Sequence, residues 1–256
     1  MIKFFRHIRK RMLKENRFTR YTLYAIGEIV LVVIGILIAL QINNWNEDRK
    51  AHFQEVEILN NLRTDLQADF KELSYQIASK KKMVLEYRNC LEILSENKEG
   101  SIEELKRDLK SIFQVGGLSL NKTTFNNLET TGEIRLIRNK ALADSIVAFY
   151  NSGYEGWETA LRDYTRNITA PYFLSFDHIT GFSFTDDDGT IRTMPFNPSD
   201  FSKPGRTLEE YRQDYFIINT LRQKTWNLEA LIDKYQGLQL YVERLDRGIE
   251  HYLDSP

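Results

Sequence analysis

Residues 21–42 read YTLYAIGEIVLVVIGILIALQI, with one charge, Glu28, and one amide, Gln41, among 22 positions. As a helix rising about 1.5 Å per residue, this run extends roughly 33 Å, enough to cross the hydrocarbon core of a bilayer. A buried helix of a soluble protein is the competing reading. The twelve apolar or glycine residues that follow Glu28 without a break argue against it. The run is too long for an ordinary signal-peptide core and no small-x-small cleavage site follows it, so it reads as an uncleaved signal-anchor. Tyr21 and Tyr24 at one end and Trp45 at the other stand where membrane-interface aromatics belong.

Charge orients the segment. Residues 1–20 hold eight basic side chains against the single acid Glu15, whereas the rest of the chain has 27 basic and 35 acidic residues. A basic head on an acidic body reads as membrane topology rather than nucleic-acid binding, with the amino terminus cytoplasmic and the main domain outside. In the tail, Phe4, Phe5, Ile8 and Met12 recur at helical spacing among lysines and arginines. This pattern suits an amphipathic helix on an anionic leaflet, and a disordered topogenic tail is the alternative.

Two stretches carry a family resemblance. YAIGEIVLVVIGILIALQINNWNEDRK, from Tyr24, and TTFNNLETTGEIRLIRNKALADSIVAFYN, from Thr123, are similar to recurring blocks of a family of uncharacterised single-pass proteins from Gram-negative bacteria. Together they cover about a fifth of the chain. The resemblance implies a bacterial inner-membrane location with a periplasmic domain; it implies no activity and no site residues.

Behind the anchor, taking Val56 as position a of a heptad, position a holds Val56, Arg63, Phe70, Ile77, Val84 and Leu91. Position d holds Leu59, Leu66, Leu73, Lys80, Tyr87 and Leu94. Ten of the twelve are apolar or aromatic, which predicts a helix over about residues 44–95. Arg63 and Lys80 interrupt the seam and favour a helix packed in a bundle over an ideal two-stranded coiled coil. At the far end Leu228, Leu231, Tyr235, Leu238, Val242, Leu245, Ile249 and Tyr252 repeat the pattern, with Thr207 and Glu210 as a capping box opening a helix of about 45 residues. Antiparallel pairing of the two long helices would cover both stripes.

Between them, Ser101 with Glu104 makes another capping box and Gly116-Gly117 a stop. Residues 124–131 form a short helix that Gly132 ends as a left-handed cap, and Asn139 caps the next. Trp157, Leu161 and Tyr164 continue the apolar face after an interruption at Gly153 and Gly156. Over about residues 180–206 the helical period disappears. Residues 182–185 and 190–193 flank Asp186-Asp187-Asp188-Gly189 as a small hairpin, and Pro195, Pro198 and Pro204 hold an irregular crossover.

The chemical motifs are negative. Counting from Asp186, glycine falls fourth and Asn197 twelfth, so the register of a calcium loop fails and a solvated turn is the better reading. His7, His52, His178 and His251 stand singly, and Cys90 is the only cysteine. Lys80-Lys81-Lys82 reads as a solvated helix face, and the Asn-x-Ser/Thr triplets at Asn121 and Asn167 as chance.

Glu28 is the exception, because burying its charge in a membrane is costly. Gly27, Gly35 and Ala39 form a small-residue stripe beside it, and these four residues make a candidate transmembrane interaction face. Snorkelling of Glu28 to the inner headgroups is the alternative. The sequence therefore predicts a basic tail (1–20), a transmembrane helix (21–43) and an extracytoplasmic helical domain (44–256). The fold class is all-α, with an elongated antiparallel bundle carrying a small irregular or β-hairpin insertion. The expected function is a non-enzymatic interaction or scaffold module of the cell envelope, with an accessory or sensory membrane subunit as the alternative. Its partners would be the lipid bilayer and a second copy of the chain or another envelope protein, with no nucleic acid, metal or cofactor.

Overall fold

The structure is a computed structural model that describes residues 18–114, 116–175, 182–185, 191–194 and 205–255. The basic tail through Arg17, the 186–189 turn and Pro195, Pro198 and Pro204 lie outside the described residues, as do His7 and His178. The chain divides into two compact units, Met1–Ile58 and Leu59–Pro256.

All five prolines fall at or after position 171, so nothing in the first two-thirds of the chain lacks a backbone donor. The result is α1 (Phe18–Leu94), 77 residues long and continuous through position 43, where the sequence pattern changes from apolar run to heptad. In the first unit every residue over 26–42 is exposed on this helix. Among the described residues it is the one helix long and apolar enough to cross a membrane.

The second unit is built on antiparallel pairing. Its elements are α2 (Ile102–Leu109) with a 3-10 turn (Lys110–Phe113), α3 (Thr123–Thr131), α4 (Lys140–Tyr150) and α5 (Glu155–Tyr164). A π turn (Thr165–Thr169), α6 (Ala170–Leu174), strands β1 (Phe182–Thr185) and β2 (Ile191–Met194), α7 (Leu208–Arg212) and α8 (Tyr215–Asp254) follow. The strands pair antiparallel, Phe182 opposite Met194 and Thr185 opposite Ile191.

Residues of α1 and α8 meet in descending order. Arg63 donates to Asp246 and Glu250, each at 2.8 Å, Gln239 donates to Ser74 at 2.7 Å, and Arg88 pairs with Glu229. Arg63, the first interruption of the heptad seam, is thus accommodated by two carboxylates at the seam's edge.

All six predicted d positions of α1 are buried, from Leu59 to Leu94, but of the a positions only Ile77 and Val84 are. Leu62, Asp69, Met83 and Cys90, at position g, are buried instead. The face rotates because α8 is not the sole partner: α2 and the segment leading into α3 cover the g side. Tyr87 donates to Ser111 O at 2.9 Å and Asn89 to Asp108 at 2.7 Å. Burial in this packing pushes the Cys90 thiol up to about 12, which makes it an inert core residue.

Several caps form where their residue types demand. Gly132 closes α3 at φ 71°, Asn139 accepts from Leu142 N at 3.1 Å, and Thr207 with Glu210 forms a complete capping box. Others differ from expectation. The terminal helix is not one piece: α7 stops at Arg212, and Asp214, in extended conformation, accepts from Phe216 N and Ile217 N to start α8 afresh. A second strong N-cap, seven residues downstream of the first, breaks the predicted continuity. Ser101 accepts from Glu104 N at 3.2 Å, but the Glu104 carboxylate reaches Asn89 and Lys98. Gly153, at φ 64°, makes the turn before α5, whereas Gly156 lies inside that helix. Trp157 is exposed rather than core, meeting Trp226 edge to face.

Candidate functional site

In the second unit, a cleft of about 360 Å³ opens between the middle of α1, Gln114 and Gly116, α5 and α8. Its size lies at the small-molecule end of the range for binding pockets. Met83, Leu161, Leu228 and Leu231 supply apolar walls, while Gln76, Ser79, Lys80, Gln114, Glu158 and Arg162 supply polar groups.

Lys80 forms part of its lining and is only 4% exposed. Its ammonium donates to Gln76 Oε1 at 2.8 Å and more weakly to Gly116 O at 3.4 Å, and lies 5.3 Å from the centre of the Tyr235 ring. Burial lowers its pKa, and the nearby Glu158 carboxylate opposes that shift. Lys80 is therefore not part of a solvated face; only Lys81 and Lys82 are exposed. The stretch of three lysines hides one that sits at heptad position d.

Glu158 is held from two sides. Leu118 N donates to its Oε1 at 3.0 Å, and the Tyr235 hydroxyl donates to the same oxygen. The site depends on a glycine: a Cβ at Gly117 would come 2.3 Å from Glu158 Oε2. Gly117→Ala is expected to push the carboxylate away from Leu118 N and Tyr235. That would lower stability by about 1 to 2 kcal/mol, measured as a drop in thermal midpoint of the full chain in detergent. An unchanged midpoint would mean that these bonds contribute nothing.

The third charged group, Arg162, is half-buried and donates to Thr159 Oγ1 at 3.1 Å. Among the described residues, no carboxylate comes within ion-pair distance of its guanidinium.

Two further polar clusters are structural in character. Asp69 Oδ1 accepts from Asn121 N at 2.6 Å, while Asp65 accepts from Asn121 Nδ2 at 2.7 Å and from Thr124 N at 3.1 Å. The Asn121 triplet thus has a use unrelated to glycosylation: it ties the start of α3 to α1. Burial pushes the Asp69 carboxyl up to about 7. The other cluster centres on Lys224, 2% exposed, which donates to Ile112 O at 2.6 Å and to Thr165 Oγ1 at 2.7 Å. Burial lowers its pKa to about 8.

The candidate membrane face lies in the first unit. Gly27, Glu28, Gly35 and Ala39 are all exposed on α1, and a Cβ added at Gly27 or Gly35 would meet nothing within 4 Å. Helical spacing places Glu28, Gly35 and Ala39 on one side. Tyr24 and Trp45 are exposed, with Arg49 5.4 Å from the centre of the Trp45 ring; the Tyr21 side chain lies outside the described residues. Among the described residues no group of three or more histidine, cysteine or acidic side chains could hold a metal.

Residues 28–154 match a family of unknown function, DUF6090. The matched range is just under half of the chain. It begins within the first of the two stretches that carry the sequence resemblance and contains the whole of the second. No curated protein and no solved structure matches the chain. The DUF6090 range includes Lys80 and Gly117 but stops short of Glu158 and Arg162, so the cleft is only partly built from it.

Lys80, Glu158 and Arg162 of the cleft, and Asp65, Asp69 and Lys224 of the structural clusters, do not stand out as buried or site residues in the sequence. For the two lysines there was a signal: Lys80 and Lys224 each occupy an a/d position of an otherwise apolar seam, Lys224 standing four residues before Leu228. A charge at a seam position asks for acceptors inside the bundle. Asp65 and Asp69 sit at positions c and g, where an acid looks like ordinary surface.

Proposed function

We propose that this chain is a non-enzymatic interaction module of the bacterial cell envelope, anchored in the inner membrane by the first part of α1. The observation that carries the reading is the run over 26–42, apolar apart from Glu28 and Gln41 and exposed at every position on an unbroken helix. Water is a poor solvent for so large an apolar surface, and a bilayer is its natural environment. The excess of basic residues over 1–20 supports a cytoplasmic amino terminus and a periplasmic main domain, by the positive-inside rule. A partner of the anchor, either a second copy or another envelope protein, would approach along Gly27, Gly35 and Ala39, where small side chains allow close helix packing.

An accessory or sensory subunit acting through its transmembrane helix is the second reading. Glu28, an acid within the apolar run, favours it.

Single cysteines at positions 27–39, in a Cys90→Ser background, test the anchor and its face together by crosslinking in native membranes. Adducts confined to the side of Glu28, Gly35 and Ala39 are expected, and their masses identify the partner. Adducts on every side, or none, would reduce the helix to a plain anchor. Release of the chain by alkaline extraction would remove the membrane reading altogether.

A further inference from the structure

The geometry points to a second binding site, in the periplasm-facing unit of the proposed topology but independent of that topology: the Lys80–Arg162 cleft binds a small organic anion, its charged group on Arg162 and its apolar body against Leu161, Leu228 and Leu231. Among the described residues the cleft is lined by two cations and one acid, and the acid is spoken for. Glu158 accepts from Leu118 N and from the Tyr235 hydroxyl, and its charge favours the protonated form of Lys80. That leaves Arg162 as the cation of the cleft with no carboxylate in ion-pair range among the described residues, its guanidinium donating to the neutral Thr159 hydroxyl.

A guanidinium is a rigid fork with five donors, suited to two oxygens of one planar or tetrahedral anion. In a partly enclosed cleft such a charge-assisted contact is stronger than at open surface. Lys80 adds positive potential from the buried wall without having to move, since Gln76 Oε1 already fixes its ammonium. A cleft of about 360 Å³ limits the ligand to a small molecule, and the leucine walls favour one with an apolar portion over a bare inorganic ion.

The test uses the full chain in lipid nanodiscs and fluorine NMR of three probes: para-fluorobenzoate, para-fluorophenyl phosphate and, as uncharged control, para-fluorobenzyl alcohol. Saturable broadening of at least one anion at millimolar concentration is expected, and whichever anion responds more strongly separates a carboxylate from a phosphate source. Arg162→Gln, a half-buried position whose loss leaves the core intact, should weaken that response about tenfold, equivalent to roughly 1.4 kcal/mol. Lys80→Met serves as a second variant, with its thermal midpoint measured alongside to confirm folding. No response from either anion, an equal response from the alcohol, or an undiminished response in Arg162→Gln would overturn the proposal.

Discussion

Lys224→Ala should lower the stability of the second unit by about 3 kcal/mol, a fall in thermal midpoint of roughly 10 °C for a domain of this size. Two losses combine. The stem of Lys224 is buried, so truncation leaves a cavity between α8 and the π turn. The ammonium also satisfies Ile112 O, near the end of a 3-10 turn, where a carbonyl has no onward helical partner. Lys224→Met separates the two, because it keeps the apolar stem and removes only the donors.

The pH dependence gives the comparison its sign. Lys224 in the fold titrates near 8, below its ordinary value of 10.5, so the unfolded chain holds this proton more tightly. Stability from this group therefore rises as pH increases from about 8 to 10.5 and is absent below. Lys224→Met should accordingly lie close to wild type at pH 7 and fall behind it by about 2 kcal/mol near pH 10. A difference that does not change with pH would show that Lys224 titrates normally. The readout is thermal unfolding of the full chain in detergent, wild type and variant side by side.

The second large effect runs the other way. Asp69 is 1% exposed, its Oδ2 has no hydrogen-bond partner among the described residues, and the same holds for the hydroxyl of buried Tyr150. Burial raises the Asp69 carboxyl to about 7 from 3.8, with the neighbouring Asp65 charge adding to the shift. A raised acid is held more tightly by the fold than by the unfolded chain. Its contribution is present at pH 4 and is lost as pH rises to about 7.

Asp69→Asn keeps an oxygen for Asn121 N and places an amide where the unpaired carboxylate oxygen stood. The variant should be more stable than wild type by on the order of 2 kcal/mol at pH 8 and nearly equal to it at pH 4. Equal stability at both pH values would mean that the carboxylate is solvated after all. An opposite change would mean that the negative charge itself holds Asn121 in place.

These two residues mark where the sequence stopped being legible. The helical class, the antiparallel partners and most caps were readable because each rests on signals within one or two turns. Asn139 reaches Leu142 N, Gly132 takes its own positive φ, and Leu59 to Leu94 repeat on a single helix. Even here local reading had limits. The capping box at Thr207 and Glu210 reads as the start of the whole terminal helix and hides Asp214 as a second cap, and the face of α1 rotates toward position g because shorter helices also claim it.

The candidate site was legible only in outline. Lys80 reads as part of a solvated face because it has two lysine neighbours. Arg162 and Glu158 had no pattern at all, since their roles come from packing α5 over a gap between other helices.

By itself, the amino-acid order determined a segment that suits a bilayer, an almost wholly helical body, and the stripes along which its two long helices meet. Each follows from periodicity or from a run of one chemical type, which the backbone converts directly into a face or a span. Only the tertiary structure decided which polar residues go inside. The acceptors of Lys80 and Lys224 include Gly116, 36 residues from the first, and Ile112, 112 residues from the second. A lysine at a seam position is buried or turned outward according to whether such distant oxygens arrive to meet it, because the cost of an unpaired buried charge exceeds any local preference.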